Sequence, residues 1–254
     1  MFVKEYGSGG RWIFGIPGWG EDHRCYRPLA RYLPPRGRLT ACDLPGYGLS
    51  APPAEITVTA VLEQLQAAYL AHASDDSPPE TVVGNCSGAV LAAELLRICP
   101  LQPQRLVLID PFAFVPSYFK LFLRRGFGRV AYNTTFASSL GRMLTNLLLW
   151  NRRQRDTDLM ATFHSVDHDV NYRYLQVFDS LGSIERFRPL RLPVTIITGK
   201  RTFAAVRRSL DMWREIWPQS DVRQLAGVGH LPIREAPDAV TRLLLPPRHG
   251  EHRR

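Results

Sequence analysis

The chain has 254 residues, 45% of them hydrophobic, and a formal charge of +9 from 32 basic and 23 acidic side chains. That length fits one α/β domain with an insertion and argues against two independent domains. No apolar run approaches the roughly 20 residues a spanning helix needs, and Met1-Phe2-Val3-Lys4-Glu5 has no basic segment leading into an apolar one; a soluble, untargeted protein is expected, without a transmembrane segment. Cys25, Cys42, Cys86 and Cys99 have neither metal-ligand nor disulfide-framework spacing, and most flank apolar positions that suit reduced, buried thiols, which points to a cytoplasmic setting.

In chain order, Phe2 to Tyr6 and Arg11 to Ile16 read as two strands around the turn Gly7-Ser8-Gly9-Gly10. A helix is expected from His23 to Leu33, stopped by Pro34-Pro35, then a strand from Leu39 to Leu44 and an amphipathic helix from Thr57 to His72. A polar loop, Ser74 to Glu80, leads to the strand Thr81-Val82-Val83. Arg105 to Asp110 and Val194 to Gly199 are continuous apolar strands of the kind buried on both faces. Helical patterns recur around Tyr118 to Arg129, Leu140 to Asn151 and Val170 to Leu181. The chain closes with a helix at Ser209 to Trp217, a strand near Val222 to Leu225, a helix at Ala236 to Leu245 and a frayed tail, His249 to Arg254. Alternating strands and helices predict a mostly parallel sheet flanked by helices. Residues 111–190 exceed what one crossover needs and predict a helical lid inserted into a core of 1–110 and 191–254.

Charge is unevenly placed. From Phe112 to Arg155 there are eight basic residues (Lys120, Arg124, Arg125, Arg129, Arg142, Arg152, Arg153, Arg155) and no acidic one, which predicts a positive surface. Tyr118, Phe119, Phe122, Phe127, Tyr132 and Phe136 interleave with it and fit a packed lid that also walls an acyl cavity.

Gly84-Asn85-Cys86-Ser87-Gly88 follows the strand and opens an Ala/Leu-rich helix. Strand, Gly-x-nucleophile-x-Gly and helix resemble the nucleophile elbow of α/β-hydrolases, with a thiol in place of the usual hydroxyl. A histidine last in the chain completes the same order: His230, in Gly227-Val228-Gly229-His230, is placed to take the proton of Cys86 and return it to a leaving group. An oxyanion hole needs two fixed donors. The backbone N–H of Ser87 is one, and the N–H of Trp19, in Pro17-Gly18-Trp19-Gly20, is the candidate for the other.

Together with Asp43-Leu44-Pro45-Gly46-Tyr47-Gly48-Leu49-Ser50 and Trp217-Pro218, these motifs resemble the α/β-hydrolase superfamily over nearly the whole chain. Within it the pattern is similar to pimeloyl carrier-protein methyl ester esterases, and the cysteine elbow to those of dienelactone hydrolases and polyhydroxyalkanoate synthases. The resemblance implies an α/β-hydrolase fold and an esterase, thioesterase or acyltransferase working through an acyl-enzyme. It also implies that Arg124, Arg125, Arg152 and Arg153 serve an acidic acyl carrier protein, although a solvated basic face would read the same way. Three departures stand out: Pro17 replaces the usual histidine, Cys86 the serine, and Thr202, three residues after Gly199, the catalytic acid. Asp110, at the end of the strand after the nucleophile helix, is the replacement acid, unless with Pro111 it only caps the entry turn. A cysteine–histidine pair also leans less on a third member.

No cofactor is expected, since phosphate loops, dinucleotide fingerprints and nucleic-acid modules are absent. His164 and His168 stand four apart, as on one side of a helix, but bring no third metal ligand. Two alternatives stay open: acyl transfer to an alcohol, amine or thiol instead of water, and a non-catalytic binding protein on a hydrolase scaffold.

Overall fold

The computed structural model describes residues 1–73, 78–154 and 157–246. The start of the expected Ser74 to Glu80 loop, Arg155 and the tail His249 to Arg254 lie outside the described residues. Strands β1 (Val3–Gly7), β2 (Arg11–Ile16), β3 (Gly37–Cys42), β4 (Thr81–Asn85), β5 (Arg105–Ile109), β6 (Val194–Gly199) and β7 (Asp221–Leu225) form one sheet in the order β1-β3-β2-β4-β5-β6-β7. Neighbours are parallel except β1, which runs antiparallel to β3. The turn at Gly7 therefore closes no hairpin, because β3 lies between the strands on either side of it.

Every residue of β2, β4 and β6 is buried, as in strands covered on both faces. The pleat sorts their side chains. Trp12, Phe14 and Ile16 enter one core layer with Leu65, Tyr69, Leu91 and Trp213, while Ile13, Val83, Val107 and Ile197 enter the other with Leu29, Val240 and Leu244. Burying a Val, Leu, Ile or Phe fully contributes about 1.5–3 kcal/mol relative to exposure, so these two layers fix the sheet that carries the site.

The helices are α1 (Arg27–Ala30), α2 (Val58–His72), α3 (Gly88–Ile98), α4 (Ser117–Lys120), α5 (Gly128–Tyr132), α6 (Ser139–Leu148), α7 (His168–Ser180), α8 (Ala204–Ile216), α9 (Pro232–Glu235) and α10 (Pro237–Leu244). Thr57 caps α2 by accepting from the N–H of Ala60. The helix expected from His23 to Leu33 is instead a 3-10 turn, His23–Tyr26, followed by α1, since Pro28 lacks an N–H and starts a new helix. Among the described residues no helix is long and apolar enough to cross a membrane.

The segment between β5 and β6 is broken helix. The pattern over Tyr118 to Arg129 resolves into α4, a 3-10 turn at Leu121–Leu123 and α5, interrupted at Gly126, whose φ is +76°. Tyr132, Phe136, Met160 and Phe163 form a cluster of their own, packed against Phe119 and Phe122, whereas Tyr174, Ile184 and Phe187 belong to the main core. Residues 111–190 thus divide between an outer aromatic cluster and a stretch, α7 onward, that packs into the sheet layer. His164 and His168 do not share a helix face: His164 ends a 3-10 turn, His168 begins α7, and the latter's Nδ1 lies 3.2 Å from the Tyr132 hydroxyl. Asp22, His23 and Asp43 have ligand-type atoms within 4.8 Å of one another, but these are already engaged. Asp43 accepts from the backbone N–H groups of His23 and Leu49 and from His23 Nδ1, and Asp22 pairs with Arg24.

Candidate active site

At the end of β4 the chain turns sharply into α3, and Cys86 sits at the apex with φ +52°, a left-handed backbone that a non-glycine residue adopts only under constraint. The glycines make the turn possible. A Cβ on Gly88 would overlap the Pro17 carbonyl oxygen, and one on Gly84 would overlap Ala89. The N–H of Cys86 is fixed to the carbonyl of Ile109 at 2.8 Å, so the elbow is tied to β5.

Cys86 Sγ lies 3.7 Å from His230 Nε2, and His230 Nδ1 lies 2.5 Å from Asp110 Oδ2. Asp110, fully buried, is the first residue past β5 and is also left-handed, at φ +46°. Its carboxylate accepts from the N–H of Gly199 at 3.1 Å and from the hydroxyl of Thr202. Thr202, at the position where the acid usually stands, is buried, and its Oγ1 is 3.5 Å from His230 Nδ1. The rings of Phe112 and Phe203 flank the imidazole, and the His230 N–H is held by the carbonyl of Arg152. Burial disfavours charge on His230, but its hydrogen bonds and charge interactions with Asp110 and Cys86 outweigh that, and its pKa is raised to about 10.

The turn after β2 lies against the elbow. Trp19 N–H donates to the Ser87 hydroxyl at 2.8 Å, so in the free chain this candidate oxyanion donor is already occupied by a neighbouring oxygen. The Trp19 indole donates to the carbonyl of Asn171 and meets Phe119, Phe136 and Phe163 edge-on. Glu21, buried, braces the arrangement from below: its Oε2 accepts from the N–H of Gly18 at 3.2 Å and from Asn85 Nδ2 at 2.7 Å. Above Cys86 opens a cavity of about 830 Å³, walled largely by aromatic and aliphatic side chains including Trp19, Phe114, Phe119, Phe136, Leu149 and Phe163.

The structure therefore brings Cys86, His230 and Asp110 into one line, with Trp19 and Ser87 beside them. It separates the four arginines. Arg124 and Arg125 are exposed between Leu121–Leu123 and α5, while Arg152 and Arg153 are half-buried, the former lining the cavity and donating to the Thr202 carbonyl. Sequence reasoning missed the support given by Thr202, Glu21 and the Ser87 hydroxyl. Only Thr202 left a signal, as a hydroxyl at the vacated acid position.

A seven-stranded, mostly parallel sheet with a left-handed turn at Cys86 after its central strand is the α/β-hydrolase fold. The model of the alpha/beta hydrolase family matches residues 13–243, and the chain belongs to that family. No curated protein matches it in sequence. Solved structures similar to it include an esterase from Exiguobacterium antarcticum (15% identity, 96% of this chain and 93% of that one, TM-score 0.77). A thermophilic esterase from Thermogutta terrifontis is comparable (18%, 95% and 90%, 0.75), as is the enol-lactonase of Burkholderia xenovorans (15%, 95% and 94%, 0.73). At such identities the likeness is one of fold.

Proposed function

We propose that the chain is an acyl-ester or acyl-thioester hydrolase that works through an acyl-enzyme on Cys86. The observation that carries this reading is the line from Sγ through His230 to Asp110 at the floor of an apolar cavity. His230 Nε2 takes the proton of the Cys86 thiol as sulfur attacks the acyl carbonyl carbon, the sulfur electron pair forming the C–S bond while the carbonyl pair moves onto oxygen. The N–H groups of Ser87 and Trp19 hold that oxygen, the Ser87 hydroxyl turning aside as it enters. Collapse expels the alkoxide or thiolate, which takes the proton from His230 Nε2. His230 then takes a proton from water as the water oxygen attacks the thioester, and a second collapse releases the acid and returns the electron pair to sulfur. Asp110 holds the ring and favours its charged form, and Thr202 and Gly199 hold Asp110.

The cavity favours a hydrophobic acyl group. The acid-free segment supports delivery on an acidic carrier protein, as the resemblance to carrier-protein methyl ester esterases implies, with Arg124 and Arg125 as the exposed contacts. An alcohol, amine or thiol replacing water would make the same intermediate an acyl donor. Intact mass after exposure to activated esters and thioesters of graded chain length, free and carrier-bound, tests the proposal. An acyl adduct on the wild type and none on Cys86→Ala is expected, with free acid as product. Adduct decay only on adding an acceptor would make the chain an acyltransferase; neither adduct nor turnover at any length would leave a binding protein.

A further inference from the structure

Helix α6, Ser139–Leu148, breaks the rule by which helices of folded proteins turn their apolar stripe inward. Leu140, Met143, Leu144, Leu147 and Leu148 fall at i, i+3, i+4, i+7 and i+8, the spacing of a core-facing stripe. They are nevertheless 60, 60, 47, 64 and 78% exposed, and no residue of the helix is buried. Trp150, just past its end, is 63% exposed. A contiguous row of aliphatic side chains left in water marks a surface that is covered in use.

The charge of the same stretch of chain says by what. Residues 112–154 contain no aspartate or glutamate, α6 itself carries Arg142, Arg152 and Arg153 follow Trp150, and the exposed Arg124 and Arg125 earlier in the stretch have no ion pair among the described residues. Asp158, brought next to α6 where the Leu159 N–H meets Asn146 Oδ1, accepts from the Met160 N–H. An aliphatic stripe spanning nine residues, a tryptophan just past its end, Arg142 on the helix and Arg152 and Arg153 beyond it, with no acid in the same stretch of chain, make the composition of a helix lying in a membrane interface, its leucines in the acyl boundary and its cations among anionic headgroups. An acidic carrier protein held by Arg124 and Arg125 would still leave the leucines of α6 in water, so the stripe calls for an apolar partner of its own. Leu148 belongs both to the stripe and to the wall of the cavity, as do its neighbours Thr145 and Leu149 to the wall alone. We infer that α6 docks the protein on the surface of an anionic phospholipid bilayer, with the cavity mouth at the lipid face where a hydrophobic acyl group is concentrated.

The docking is independent of the chemistry at Cys86, so its test uses full-length Cys86→Ala protein. Flotation with vesicles of phosphatidylglycerol and phosphatidylcholine, and with phosphatidylcholine alone, measures partition. Binding to the anionic vesicles is expected, with a blue shift of tryptophan emission most of which Trp150→Phe removes, since Trp12, Trp213 and Trp217 are buried and the half-buried Trp19 already packs against Phe119, Phe136 and Phe163. Replacing both Leu144 and Leu147 by glutamine should lower partition about tenfold or more while the protein, otherwise active, hydrolyses a short soluble ester at the wild-type rate. Arg124→Glu with Arg125→Glu should lower partition into anionic vesicles alone by about 25-fold or more, at roughly fivefold per cation near the surface. Failure of the wild type to float, or partition indifferent to the leucine pair, overturns the inference. So does a dimer in sedimentation that the leucine pair dissolves, or an acyl carrier protein whose binding needs the same leucines while vesicles do not bind.

Discussion

Replacing Asp110 by asparagine keeps the shape of the side chain and removes its charge at the point where three donors converge: the N–H of Gly199, the hydroxyl of Thr202 and Nδ1 of His230. An amide has one oxygen, so its NH2 must face at least one of those donors in a fully buried place. The rise of the His230 pKa from 6.5 to about 10 is worth about 5 kcal/mol in favour of the imidazolium, shared between Asp110 and Cys86 and net of burial. What is lost with the charge of Asp110 is the charge-assisted hydrogen bond to Nδ1, worth about 1.5–3 kcal/mol, which predicts an acylation step slowed roughly 10- to 150-fold. The assay is single-turnover acylation by a chromogenic ester, read with intact mass, alongside a thermal melt that confirms the fold. Thr202→Val, which removes one donor and no charge, should cost less than about tenfold. Acylation of a folded Asp110→Asn protein within threefold of wild type, or a larger loss in Thr202→Val, would refute Asp110 as the acid.

Because the folded-state pKa of His230 is raised, its contribution to stability is complete below about pH 6.5 and fades as pH rises to about 10; urea melts across that window should show a falling difference between wild type and His230→Gln, and a constant difference would contradict the shift. Gly18→Ala would set a Cβ 3.0 Å from the Cβ of Cys86, 3.0 Å from Glu21 Oε2 and 3.1 Å from the Asn85 carbonyl, tighter than ordinary contact; kcat should fall at least about tenfold with KM and Tm nearly unchanged, as expected when a donor to the transition state is displaced. Leu149→Trp, filling part of the cavity wall, should lower kcat/KM for decanoyl esters about tenfold relative to acetyl esters; an equal loss for both would remove the acyl-pocket reading.

Local rules carried far along this chain. The bounds of β2 and β6 coincide with the apolar runs that predict them, and α2 begins one residue after the Thr57 that caps it. What failed was non-local. Nothing near Gly7 reveals that β3 inserts beside β1, because pairing is decided by residues some thirty positions on. α8 starts at Ala204, not Ser209, because its buried face begins at Val206, and the exposed Arg207 and Arg208 separate that residue from the apolar pattern that resumes at Ser209. Glu21 offered no signal, since Asn85, the partner that gives it meaning, is distant in sequence and near only once β2 and β4 pair. The stripe on α6 was legible as a helix, but a periodicity cannot say whether its apolar side meets protein or water.

The hydroxyl of Thr202 reaches both the Asp110 carboxylate and the His230 ring. An aspartate restored there would put two carboxylates against one imidazole in a buried pocket, where like charges cannot both ionise and one must take up a proton. A chain carrying both would therefore gain a titrating group beside His230 and no second charge, so under the proposed mechanism an acid at position 202 adds nothing while Asp110 keeps its place, and threonine, which donates to that carboxylate, serves it better than a second acid could.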